Sequence, residues 1–71
     1  MNIGSSLAGL VEVELTSAEL PEVLAQINRL GIEICDLQWK NELTCVFCVR
    51  HKHYRILSKW TRKRGVTLEF H

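Results

Sequence analysis

Long apolar runs are missing from this chain. The two longest, Leu7 to Val11 (through Gly9) and Cys45 to Val49, are five residues each, far short of the roughly 18 that a membrane-spanning helix needs. The N-terminal Met1-Asn2-Ile3-Gly4-Ser5-Ser6 has no basic start and no apolar stretch of signal-peptide length, so secretion is not indicated. Cysteine is odd in number: three thiols cannot all pair within one chain, nothing points to an oxidising compartment, and they are expected to be reduced, on the cytoplasmic side. A single proline and four glycines exclude collagen-like or low-complexity character. There is no nucleophile-base-orienter set, no glycine-rich phosphate loop and no pair of carboxylates on an inferable common pocket, which argues against an enzyme.

What is present describes a small folded unit. Hydrophobic residues make up 46% and charged residues 24% of 71 residues, ordinary globular usage for one domain, expected over 9–71 behind a loose lead-in at 1–8. At this size the core is thin and cannot enclose a deep substrate pocket.

The net charge of +1 conceals a division. Up to Val49, two basic residues stand against seven acidic ones; from Arg50 onward, seven basic residues stand against Glu69 alone. Such asymmetry points to a partner surface, though not to a fold.

The pattern reads as strand, helix, strand, strand, helix, strand. Val11, Val13 and Leu15 alternate with Glu12 and Glu14, as in a half-buried strand. Thr16-x-x-Glu19 fits a capping box, but that start would bury Pro21 inside the helix; with Pro21 at the first helical position, a helix from about Pro21 to Leu30 follows, closed by Gly31. Leu20, Val23, Leu24, Ile27 and Leu30 form its apolar stripe. Ile32 to Trp39 and Leu43 to Val49 read as a hairpin joined through Lys40-Asn41-Glu42, the second of these strands with Leu43, Cys45, Phe47 and Val49 on its core face. Ile32 and Ile34 conflict in parity with Leu37 and Trp39, so either a bulge near Cys35-Asp36 reconciles them or one pair is exposed. Lys52 to Arg64 is helical again, with Tyr54, Ile56, Leu57 and Trp60 on one arc and Lys52, Arg55, Lys59, Arg62 and Lys63 on the other. Gly65 ends it, and Val66, Leu68 and Phe70 belong to a last strand.

This order predicts a ferredoxin-like split βαβ fold, with two helices on one face of a four-stranded antiparallel sheet. The expected core is Val11, Val13, Leu15, Val23, Leu24, Ile27, Leu30, Phe47, Val49, Leu57, Trp60, Leu68 and Phe70. Glu12, Glu14, Thr44, Val46, Cys48, Thr67 and Glu69 are left on the open face.

Two candidate surfaces emerge. The basic arc Lys52, Arg55, Lys59, Arg62 and Lys63 suits anionic lipid or nucleic acid. The Val46 and Cys48 stripe of the open sheet suits self-association or a protein partner. An RNA-recognition sheet needs aromatic rings on its central strands, and here those strands carry glutamates, which argues against nucleic acid. Cys45-x-x-Cys48-x-x-His51-x-His53 has zinc-capable side chains, but a strand sends Cys45 to the core and Cys48 to the opposite face, so no metal or other cofactor is expected.

The set Leu10, Val11 and Val13, Pro21-Glu22 and Leu24, Gly31-Ile32 with Ile34 and Asp36, Phe47 and Val49, Tyr54 and Leu57, and Arg64-Gly65-Val66 resembles the N-terminal region of the YqfD-type stage IV sporulation proteins of endospore-forming bacteria. It departs at Cys35, where an aromatic is common. Members are several times longer and carry a membrane-spanning segment beyond this region. The resemblance therefore implies a non-catalytic interaction domain of a sporulation-associated membrane protein, on the cytoplasmic side. The stretch 20–34 is also similar to amino-acid-binding ACT regulatory domains, which makes an ACT-like amino-acid regulatory domain the alternative reading; Glu22 stands where those usually have glycine, so it ranks second and no small molecule is expected.

Overall fold

The computed structural model describes residues 9–71, and the expected lead-in at 1–8 lies outside them. The elements are β1 (Leu10–Thr16), α1 (Leu20–Arg29), β2 (Cys35–Trp39), β3 (Thr44–Arg50), α2 (His51–Lys63) and β4 (Thr67–Phe70). They form one antiparallel sheet in the order β2-β3-β1-β4, the ferredoxin-like α+β fold expected from the pattern.

β1 and β3 pair over their whole length at the centre, from Leu10 opposite Arg50 to Thr16 opposite Thr44. Val13, Leu15, Cys45, Phe47 and Val49 therefore share one face, and with Leu20, Val23, Ile27, Ile32 and Leu57 they make a single buried cluster. Val11, Leu24, Trp60 and Leu68 pack against it while only partly buried. Both helices thus cover the same side of the sheet.

Local chemistry sets the boundaries. Pro21 lies in the first turn of α1, where its missing N–H is not needed, and Glu22 complements the helix dipole. Gly31 follows the helix with φ of +83°, a left-handed conformation that glycine adopts without steric cost. The apolar stripe of α1 runs through Leu20, Val23 and Ile27; Leu30, expected in the core, is the C-cap and is exposed as the chain turns away.

β2 begins at Cys35 rather than Ile32. Cys35 pairs with Cys48 and Gln38 with Val46, so three steps on β2 match two on β3. The additional residue is Asp36, at φ of +55°, a left-handed value that aspartate tolerates better than most residues. The bulge restores parity and puts Leu37 and Trp39 on the helix side together with Ile34. Because β2 is an edge strand, those two side chains still remain 41% and 49% exposed.

Leu43, expected on the core face of β3, lies in the turn and is exposed, its N–H donating to Asn41 Oδ1 at 2.8 Å. Phe70 has the expected parity, opposite Val13, but is 67% exposed because β4 is the other edge; it rests on Tyr54 instead of entering the core.

Candidate functional site

The buried line of α2 runs through Leu57 and Thr61, with Tyr54 and Trp60 beside it. Thr61 is accommodated in the core because its hydroxyl donates to the Ser58 carbonyl at 3.0 Å. Ile56, expected on the apolar arc, is 52% exposed. At about 100° per residue it falls beside Lys52 and Lys63 rather than with Leu57. All five basic residues named from the sequence, Lys52, Arg55, Lys59, Arg62 and Lys63, are exposed on α2.

His51, Tyr54 and Ser58 join Lys52, Arg55, Lys59 and Arg62 in lining a shallow groove along the helix. The sequence reading missed His51 and Ser58 as groove residues. Their helical spacing from Arg55 and Arg62, four and four residues, carried the signal. Lys63 lies outside this groove, beside Ile56.

The electrostatics of α2 are one-sided. The helix contains no acidic residue, and none of its five arc cations is ion-paired among the described residues. Lys52–Arg55, Arg55–Lys59, Lys59–Arg62 and Lys59–Lys63 are like-charge neighbours at three- and four-residue spacing, which together cost the isolated helix about 1–2 kcal/mol. Arg62 and Lys63 complement the helix C-terminus, but Lys52 in the first turn opposes the dipole. Arg64 is engaged otherwise, its guanidinium lying 4.6 Å from the centre of the Trp60 ring.

The open face of the sheet has the opposite sign. Glu12, Glu14 and Glu69 stand on it by register with Cys48, Val46 and each other. Lys40 Nζ reaches across β3 to Glu14 Oε1 at 2.9 Å, and this hydrogen bond holds the Glu14 carboxyl below its ordinary pKa. Beneath these long side chains Val46 and Cys48 are only 5% and 8% exposed. Cys48 is therefore not the surface thiol that strand alternation predicts: on a central strand, neighbours on both sides shield a small side chain.

Cys45 is fully buried on the helix side, and burial pushes its thiol up to about 11. The register thus separates Cys45 from Cys48 as the strand pattern requires, while His51 and His53 sit in the first turn of α2. Among the described residues no three His, Cys, Asp or Glu side chains gather in a way that could hold a metal ion. No described helix is long and apolar enough to cross a membrane. No protein-family model matches the chain, and comparison with curated proteins and with solved structures finds no match either.

Proposed function

We propose that this domain is a non-catalytic interaction module that docks on an anionic membrane surface through the basic face of α2. The observation that carries this reading is the unbroken run of like-charge neighbours on an exposed helix face with no acid to relieve it. That arrangement lowers helix stability and gains only when an external anion is supplied. Ile56, exposed at the rim of the arc beside Lys63 and Lys52, favours lipid: an aliphatic side chain next to cations fits the boundary between headgroups and acyl chains. The acidic open face would orient the domain by turning away from the same surface.

The resemblance to the YqfD-type sporulation proteins accords with this reading, because their membrane-spanning segment would hold such a domain next to a cytoplasmic leaflet. Co-sedimentation with vesicles tests it. Recovery with anionic vesicles, little with neutral ones, and loss in the Lys59→Glu/Arg62→Glu/Lys63→Glu variant are expected. Equal recovery in every condition would dispose of the membrane role. A sizing column run on the same protein reports self-association, in which the open sheet would be the surface to examine.

A further inference from the structure

Cys35 and Cys48 are direct partners across β2 and β3, both on the open face. The Cys35 thiol donates to the Cys48 carbonyl oxygen at 3.4 Å, so its sulfur lies over the neighbouring strand at the other cysteine. Directly opposed residues of an antiparallel pair have Cα atoms about 4.5–5.5 Å apart, inside the roughly 4.4–6.8 Å window that a disulfide spans without backbone movement. The ladder is also interrupted immediately after this pair, where Asp36 bulges out and pairing resumes only at Gln38. The thiols therefore stand beside a break in the pairing of the edge strand.

We propose that Cys35 and Cys48 form a reversible cross-strand dithiol–disulfide site, oxidised by a small-molecule disulfide of the glutathione class. Cys35, partly exposed, is the entry point; Cys48 is buried and shielded. Burial raises the Cys48 thiol pKa, with smaller contributions from Cys35, Glu12 and Asp36, which suits it to act second. In the first step the Cys35 thiolate attacks one sulfur of the glutathione disulfide, forming a mixed disulfide and releasing one glutathione thiolate. In the second, the Cys48 thiolate attacks the Cys35 sulfur and releases the other. The protein loses two protons and two electrons, and the small disulfide becomes two thiols. Excess thiol reverses both steps. The bond would fasten the edge strand across its bulge, and this site is independent of the basic face of α2.

The test is mass spectrometry of the whole chain after incubation with oxidised glutathione and alkylation. The expected product has lost two hydrogens and carries no glutathionyl group. Chymotryptic cleavage after Phe47 separates Cys45 from Cys48, and the Cys35 peptide should be linked to the one carrying Cys48. Cys48→Ser should stop at one glutathionyl group on Cys35, and Cys35→Ser should react at least tenfold more slowly than the parent. Circular dichroism confirms that each variant is folded; the parent's own peptide map decides the matter if either is not. A parent that only accumulates glutathionyl adducts, that links Cys45 or a second chain, or that fails to react while folded would overturn the proposal.

Discussion

Tyr54 of α2 and Phe70 of β4 stack with ring centroids 4.7 Å apart and planes 18° from parallel. Phe70 is exposed on its other side, so the pair fastens the end of an edge strand to the helix that carries the basic face. Phe70→Ala should lower stability by about 1 kcal/mol through loss of the aromatic pair. Denaturant unfolding checks this, and an unchanged midpoint would mean that the stack contributes nothing.

Glu14 gives a pH-dependent prediction. Its folded pKa is held below the ordinary carboxylate value, chiefly by the hydrogen bond from Lys40. The contribution is therefore fully present above the unfolded value and is lost as pH falls through the lower folded one. Lys40→Met should return the Glu14 midpoint toward its ordinary value in an NMR titration, with only a small change in stability because the pair is exposed to solvent. An unmoved midpoint would show that the pair does not form in solution.

Asp36 tests the bulge. A β-branched residue at φ of +55° is strained, whereas glycine is not. Asp36→Val should cost about 1–2 kcal/mol, and Asp36→Gly should stay within about 0.5 kcal/mol of the parent. Thermal melts of the two variants side by side measure the difference. Equal melting temperatures would remove the left-handed residue from the account.

The bulge was half legible: the parity conflict offered one near Cys35-Asp36, where the structure has it, beside the alternative of an exposed pair. Period-two alternation in β1 and β3 revealed parity because both strands are central and have one covered face. Pro21, Gly31 and Gly65 revealed the helix ends because their backbone restrictions are local. In β2 the two apolar pairs conflicted until one residue was removed from the count, and alternation alone could not say which. Phe70 was misplaced for another reason: composition identifies apolar residues, while exposure depends on whether a neighbouring element extends far enough to cover them; Ile56 was drawn too far round the helix wheel, and Leu43 fell in the turn before β3. Cys48 shows the converse, a residue on the open face hidden by its flanking strands. The basic arc was fully legible because long cations on one side of a helix need no tertiary context to be exposed.

The charge run on α2 is the centre of the account, and it is tested most directly by stepwise neutralisation. Dissociation constants for anionic vesicles would be measured for the parent, Lys59→Gln, Lys59→Gln/Arg62→Gln and Lys59→Gln/Arg62→Gln/Lys63→Gln, each at low and high salt. At about 1 kcal/mol per cation near the surface, each step should weaken binding roughly fivefold, and high salt should weaken the parent most. Affinities that do not change along the series, or that are matched on neutral vesicles, would contradict a membrane-docking role for this face.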